Sequence, residues 1–155
     1  SITGSVLALH NNPAEHDKLR ANPTLIPSMV SETIRWQTPL AYMRRTATQD
    51  VTIRDVTIRE GDKVLLWYAS ANQDESAIEY ADQYIIDRPN VRQHLSFGTG
   101  IHRCMGNRLA EMQLRVLWEE ILPRFRAIKV VEEPSRIYSS FVKGYHTLQV
   151  VAHPH

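Results

Sequence analysis

The sequence lacks the features that mark several large classes of protein. It holds one cysteine in 155 residues, which excludes an internal disulfide and a zinc site built from several cysteines. Its 18 basic and 17 acidic side chains leave a net charge of +1, which argues against nucleic acid or an anionic membrane surface as the main partner. No run of about 18 apolar residues occurs, so the sequence predicts no membrane-spanning helix. The 43% of apolar residues fit one globular domain.

The spacing of apolar residues changes along the chain, and it predicts both helices and strands. Helical spacing and proline breaks indicate helices over residues 1–10, 14–21 and 25–37. A longer helix follows Cys104, with apolar residues along one face, and we expect Pro123 to stop it. Alternating β-branched residues predict a small antiparallel sheet over 51–68 and strand pieces at 128–131 and 147–151. The predicted fold class is mainly α with a small antiparallel β component (α+β).

The only cysteine lies in a glycine-rich loop that leads into the longer helix. Residues 97–106, here called the cysteine loop, include Phe97, Gly98, Gly100, His102, Cys104 and Gly106. Glycines allow tight turns and close approach to a flat ligand, and the start of a helix favours a thiolate. This arrangement suits a metal-binding sulfur. The alternative is a buried free cysteine beside a glycine turn.

The ungapped pattern F-G-x-G-x-H-x-C-x-G-x-x-L-A, from Phe97 to Ala110, resembles the cysteine loop of the cytochrome P450 superfamily. The resemblance implies a haem-thiolate monooxygenase in which Cys104 is the proximal ligand of the iron of haem b. It also implies that the other five residues of the cysteine loop named above contact the haem or shield the sulfur. Haem iron takes four ligands from the porphyrin, so a second cysteine is not needed.

Three charged positions support the same resemblance. Glu32 and Arg35 stand three residues apart, where they can pair on one helix face. In the resembling family such a pair joins a later arginine in a buried structural triad, and Arg88 occupies the matching place.

The resemblance further implies that Arg45 contacts a haem propionate through a bidentate charged contact, and that His102 contacts a propionate as well.

Residues 35–46 are similar to one bacterial branch of that superfamily, the terminal alkane hydroxylases. That branch resemblance implies hydroxylation of the terminal carbon of medium-length alkanes or of related acyl or alicyclic compounds. The implied substrate pocket is lined by Leu40, Ala41, Met43, Phe141 and Val142. An apolar lining suits a methyl group, which must be selected by shape.

The resemblance also implies a setting and partners for the reaction. Besides dioxygen and the apolar substrate, the bacterial branch uses an iron–sulfur ferredoxin and its NAD(P)H-dependent reductase as electron source, in the cytoplasm. Arg103, Arg108 and Arg115 would then form a basic surface for an acidic ferredoxin on the proximal side.

The acid–threonine motif with which these enzymes deliver protons to bound dioxygen does not occur in the sequence. We therefore expect residues 1–155 to be a C-terminal fragment of a single haem-thiolate monooxygenase domain, inactive on its own. Two alternatives stay open at this point. One is a haem-binding module without oxygenase activity, and the other is a hydrolase with Cys104 as nucleophile and a histidine as base.

Overall fold

The computed structural model describes residues 1–155, and five helices form most of its packed interior. They are α1 (Ile2–Asn11), α2 (Pro13–Ala21), α3 (Ile26–Gln37), α4 (Tyr68–Ala71) and α5 (Asn107–Arg124). The predicted helices near residues 1–37 are confirmed to within two residues. Proline explains the boundaries, because Pro13 starts α2 and a 3-10 turn over Pro23–Leu25 separates α2 from α3.

Eight short strands form four separate two-stranded antiparallel sheets. The strands are β1 (Met43–Thr46), β2 (Val51–Ile53), β3 (Val56–Ile58), β4 (Lys63–Leu66), β5 (Phe125–Val130), β6 (Ser135–Arg136), β7 (Tyr145–Thr147) and β8 (Val150–Pro154). β1 pairs with β4, β2 with β3, β5 with β8, and β6 with β7. The predicted α+β class is confirmed.

The region 43–68 differs from its prediction in two ways. The β2–β3 hairpin is a sheet of its own, and it lies within the connection between β1 and β4. The prediction of one sheet was wrong because β1, with its two arginines, lacks the apolar alternation that marks β2 and β3. Tyr68 also begins α4 instead of ending a strand, and its side chain is buried.

The hydrophobic core lies where α1, α2 and α3 meet α5. Twelve buried residues form it: Ala8, Leu9, Leu19, Ile26, Met29, Val30, Ile34, Tyr84, Ile86, Leu114, Trp118 and Leu122. α3 therefore has a central position, and its last turns hold both charged and apolar side chains in fixed places.

Helix α5 packs through one face and exposes another. Leu114, Trp118 and Leu122 are buried, whereas Leu109 and Met112 are about half exposed. The apolar spacing from Leu109 onward therefore marks a face that has no partner within the structure. The helix also passes Pro123 and ends at Arg124. A proline removes its own bond to the preceding turn and crowds the carbonyl four residues earlier, but the helix ends one residue later, and Phe125 N still donates to Ile121 O.

None of the helices combines the length and the apolar character that crossing a bilayer requires.

Candidate cofactor site

A buried ion cluster of Glu32, Arg35 and Arg88, here called the Glu32 cluster, lies at one side of α3. Arg35 donates to the carboxylate of Glu32 through Nε at 2.7 Å and through Nη2 at 2.8 Å. Arg88 Nε approaches the two oxygens of the same carboxylate at 3.3 and 3.2 Å. The residues are 0%, 1% and 7% exposed, respectively. The structure thus brings together the three residues that the sequence singled out.

Backbone carbonyls complete this cluster. The remaining hydrogens of Arg35 are donated to the carbonyls of Asn72, Ala81 and Gln83 at 2.6 to 2.9 Å. Arg88 donates to the carbonyls of Glu79, Tyr80 and Gln83. Two guanidinium groups share one carboxylate, so these carbonyl dipoles compensate the excess positive charge. The cluster ties α3 to the segment 72–88, which holds almost no regular secondary structure.

The cysteine loop is closed by its own backbone. Gly98 N donates to Leu95 O at 2.8 Å, and Cys104 N donates to Phe97 O at 2.9 Å. Gly98 has φ +69°, and a Cβ atom there would stand 3.0 Å from the Tyr68 hydroxyl. A side chain at Gly98 would therefore be strained and would also crowd Tyr68.

Gly106 has a different environment from Gly98. It lies immediately before α5 with φ −89°, which any residue can adopt. A Cβ atom at Gly106 would stand 3.9 Å from Cys104 Sγ and meet no other group. The absence of a side chain at Gly106 therefore leaves space beside the sulfur, and the backbone conformation there does not itself require glycine.

A cavity of about 720 Å³ lies between the cysteine loop, α3 and β1. Its fourteen lining residues are Ser1, Ile34, Pro39, Leu40, Met43, Arg44, Arg45, Thr46, Tyr68, Ser96, Phe97, His102, Cys104 and Ala110. Six of the residues singled out in the sequence are among them: Leu40, Met43, Arg45, Phe97, His102 and Cys104. The volume is within the range of small-molecule and cofactor pockets.

Arg45 reaches the cavity because of its place on β1. All four residues of β1 line the cavity. Met43 and Arg45 are half-buried and alternate with the exposed Arg44 and Thr46, as the two-residue period of a strand requires. The hydrogen bond of the Arg45 guanidinium goes from Nη1 to the carbonyl of its neighbour Arg44 at 2.9 Å. Its charge is therefore available for an anionic ligand.

The other predicted substrate-pocket residues lie behind this lining. Ala41 is buried, and its N donates to Phe141 O at 2.8 Å. Val142 forms a bridge with Leu40, and the ring of Phe141 lies 5.5 Å from that of Tyr42. The segment around Phe141 thus braces residues 40–42, and none of Ala41, Phe141 and Val142 lines the cavity itself.

The three predicted surface arginines are all exposed. Arg103 stands in the cysteine loop next to Cys104, and Arg108 and Arg115 stand on α5. Two turns separate the α5 residues, so they share one side of the helix. Arg115 Nε lies 3.5 Å from a carboxylate oxygen of Glu119, which reduces its contribution to a basic surface.

His94 is a buried neighbour of the cysteine loop that no motif in the sequence singles out. Its ring lies 5.5 Å from that of Phe97, and its Nδ1 accepts a hydrogen bond from Ser96 N at 3.3 Å. Burial, with smaller effects from the charges of Arg103 and Arg35, lowers the pKa of His94 to about 4. The residue is therefore neutral at physiological pH and packs as an aromatic ring.

The arrangement fits a ligand that carries a metal and an anionic group. The thiol of Cys104 is exposed and faces a cavity in which half of the lining residues are apolar. A thiolate is a soft metal ligand. The Arg45 guanidinium has unused N–H groups that can donate hydrogen bonds to an anion. No group of three His, Cys, Asp or Glu side chains could hold a bare metal ion.

A family model and several known proteins match most of this chain. The model of the cytochrome P450 family matches residues 6–150. Linalool 8-monooxygenase of Pseudomonas putida is 42% identical over 154 residues, which are 99% of this chain and 38% of that protein. The methyl-branched lipid omega-hydroxylase of Mycobacterium tuberculosis is 42% identical over 153 residues, 97% of this chain and 35% of that protein.

Solved structures agree with these sequence matches. Cytochrome P450-153 of Novosphingobium aromaticivorans superposes with a TM-score of 0.93 at 48% identity, over 97% of this chain and 38% of that one. CYP153D17 of a Sphingomonas species gives 0.92 at 51% identity, with the same coverage. The chain therefore spans little more than a third of the length of the proteins that it matches.

Proposed function

Because this chain belongs to the cytochrome P450 family, we propose that it is the C-terminal part of one haem-thiolate monooxygenase domain. The proposed reaction is hydroxylation of an apolar substrate by dioxygen, at the terminal carbon of an alkane or a related acyl or alicyclic compound. The observation that carries the proposal is the shared cavity of Cys104, Arg45 and His102. It combines a thiol, a free guanidinium and an apolar wall.

The cofactor of this family is haem b, which supplies the activation of dioxygen when it is bound. Cys104 Sγ is the ligand that this chain offers to the iron. Arg45 and His102, at the rim of the same cavity, would hold the propionates. The Phe97 ring lines the same cavity, and the absence of a side chain at Gly106 leaves space beside the sulfur, so a flat macrocycle would have room there.

Terminal hydroxylation is supported by the apolar residues that meet the same cavity. Leu40 and Met43 line it, and Ala41 is fixed behind them by Phe141. Apolar walls exclude water and select an alkyl chain by shape, because a methyl end has no group that can be hydrogen-bonded. Among the structural neighbours are P450-153 proteins, the alkane hydroxylase branch, and one relative is named a lipid omega-hydroxylase.

The central test is the carbon-monoxide difference spectrum of the reduced full-length protein. We expect the red-shifted band of thiolate ligation in the native protein and its loss in Cys104→Ser. Thr99→Ala is the matched control, because Thr99 is exposed in the same loop and does not line the cavity. A native band at the position of another ligand would refute thiolate ligation by Cys104. A cysteine hydrolase would instead act on acyl substrates without haem.

Product analysis tests the choice of substrate. Alkanes of increasing chain length are supplied with an electron-transfer system, and we expect primary alcohols to dominate. Mainly subterminal alcohols would refute the terminal selectivity and leave monooxygenase activity intact. Haem binding without any oxygenated product would favour a haem-binding module.

We further propose that the electron donor is an acidic iron–sulfur ferredoxin, itself reduced by an NAD(P)H-dependent reductase, that docks on Arg103 and Arg108. Both side chains are exposed, and Arg103 precedes the sulfur ligand directly. Arg103→Glu and Arg108→Glu should slow reduction and weaken its dependence on salt. Arg59→Glu, remote from the cysteine loop in sequence and absent from the cavity lining, is the control. Unchanged reduction rates in both Arg103→Glu and Arg108→Glu would exclude this surface. The bacterial cytoplasm stays a prediction for the location.

A further inference from the structure

We propose that Asn72 is a positioning residue that fixes the start of the cysteine loop against α3 and thereby sets the place of Cys104. The inference rests on the proposed role of Cys104 as haem ligand. Asn72 follows α4, and none of its surface is exposed. The sequence around Asn72 does not predict this role, since the partners of its side chain come from two segments that are distant in sequence, one at Thr38 and the other at Leu95 and Ser96.

The side chain of Asn72 makes three hydrogen bonds. Nδ2 donates to Thr38 Oγ1 and to Ser96 Oγ, both at 2.9 Å, and Oδ1 accepts from Leu95 N at 2.8 Å. Each hydroxyl passes the bond on to the end of α3. Thr38 Oγ1 donates to Arg35 O at 2.5 Å, and Ser96 Oγ donates to Ile34 O at 2.8 Å.

This pattern allows only one orientation of the amide. Leu95 N–H is a backbone donor, so the atom that faces it must be the oxygen. Nδ2 then has two hydrogens for two hydroxyls, whose own hydrogens go to α3 carbonyls. Every donor has an acceptor, and a buried network that is fully satisfied specifies one arrangement.

A short chain of backbone bonds leads from this network to the sulfur ligand. Leu95, held by Asn72, offers its carbonyl to Gly98 N at 2.8 Å. That turn places Phe97, whose carbonyl accepts from Cys104 N at 2.9 Å. Loss of the Asn72 side chain would remove one hydrogen bond from Leu95 and one from Ser96. It would thereby loosen Phe97, whose carbonyl accepts from Cys104 N.

Asn72 also joins the cysteine loop to the Glu32 cluster. Its backbone carbonyl accepts from Arg35 Nη1 at 2.6 Å. On the other side its amide holds Thr38, which has φ +39°, a strained conformation for a β-branched residue. Such strain persists where surrounding contacts enforce it. The buried cluster and the exposed cysteine are therefore linked through one residue, whose backbone contacts the cluster and whose side chain holds the start of the loop.

The test uses the full-length protein and two variants, Asn72→Ala and Ser96→Ala, with Thr33→Val as the matched control. Thr33 lies in α3, the helix on which the network ends, and it is also buried, but its hydroxyl bonds the Tyr84 hydroxyl at 2.8 Å and contacts no residue of the network. One readout is hydrogen exchange at the amides of Leu95, Gly98 and Cys104, which requires no haem. The second is the fraction of thiolate-type band in the carbon-monoxide spectrum.

We expect exchange at the Cys104 amide to rise about tenfold or more in Asn72→Ala, and less in Ser96→Ala, because a lost hydrogen bond is worth roughly that factor. The thiolate-type fraction should fall in the same order. Thr33→Val should lower the melting temperature without changing either readout. If Asn72→Ala does not fold, Ser96→Ala decides alone.

If the Cys104 amide exchanges at the native rate in both Asn72→Ala and Ser96→Ala, the role of Asn72 is overturned, whatever the spectrum of the native protein. A native protein without a thiolate-type band, combined with faster exchange in the variants, would refute the proposed haem ligation and support the positioning role.

Discussion

The Glu32 cluster and the Cys104 cavity lie close together along α3, yet they differ in how their polar groups are satisfied. The side-chain N–H groups of Arg35 all donate to protein acceptors. In the cavity, Cys104 is exposed, and the Arg45 guanidinium has only a neighbouring carbonyl. The polar groups of the cluster thus find all their partners within the chain, whereas the cavity presents a thiol and a guanidinium whose remaining partners must come from a ligand.

Breaking the Glu32 cluster should have the largest effect on stability. Glu32→Gln leaves two buried guanidinium groups without their anion, and we expect it to lower the free energy of unfolding by about 3–5 kcal/mol. Urea denaturation followed by tryptophan fluorescence measures the change. Glu119→Gln is the control, since that carboxylate is 50% exposed. A loss below about 1 kcal/mol for Glu32→Gln would show that the carbonyls alone hold both arginines.

Between the two regions, His94 should make stability depend on pH. Burial lowers its pKa to about 4, against an ordinary value of 6.5. The neutral ring therefore contributes stability that is fully present above pH 6.5 and is lost as the pH falls toward 4. One pKa unit corresponds to about 1.4 kcal/mol, so the total is on the order of 3 kcal/mol.

The measurement is urea denaturation at several pH values across that window. His94→Gln keeps an acceptor for Ser96 N and should flatten the pH dependence, whereas His146→Gln, at an exposed position, should leave it unchanged. The same steep loss in His94→Gln would assign the dependence to other groups.

A substitution in the cavity should change the affinity for haem, whereas a substitution in the Glu32 cluster changes the stability of the fold. Arg45→Ala removes a charged donor, and a hydrogen bond to a charged group is worth about 1.5–3 kcal/mol. We therefore expect haem affinity to fall roughly tenfold or more, with little change in the stability of the haem-free protein. Haem titration followed by absorbance measures the affinity, and Arg59→Ala is the control. Equal affinity in both variants would remove Arg45 from the site.

The sequence could predict local features better than long-range ones. The pairing of Glu32 with Arg35 follows from their spacing on a helix, and the cysteine loop follows from an ungapped motif. The carbonyl acceptors around Arg88 could not be predicted, because their segment has no periodicity. Asn72 was missed for a related reason, since only the fold brings Thr38, Leu95 and Ser96 around it.

Strand pairing and the buried faces of helices were harder to predict from the sequence than the motifs. β1 pairs with β4 across the β2–β3 hairpin, and nothing in the alternation of Val51–Ile53 and Val56–Ile58 distinguishes a separate hairpin from part of a larger sheet. In α5, apolar residues occur on more than one face, so their spacing could not show that Leu114 and Trp118 are buried while Met112 is exposed.

The smallest effect concerns the ion pairs of Lys18, which also join a cation to carboxylates but are partly exposed to water. Lys18 Nζ lies 2.8 Å from Asp87 and 2.9 Å from Glu15, and its side chain is 36% exposed. Because of solvent screening, such contacts contribute about 0–1 kcal/mol to stability. Lys18→Ala should therefore lower the free energy of unfolding by less than about 1 kcal/mol. Urea denaturation at low and high salt, beside Glu32→Gln, measures both. A loss as large as that of Glu32→Gln would mean that burial is not what separates the two kinds of ion pair.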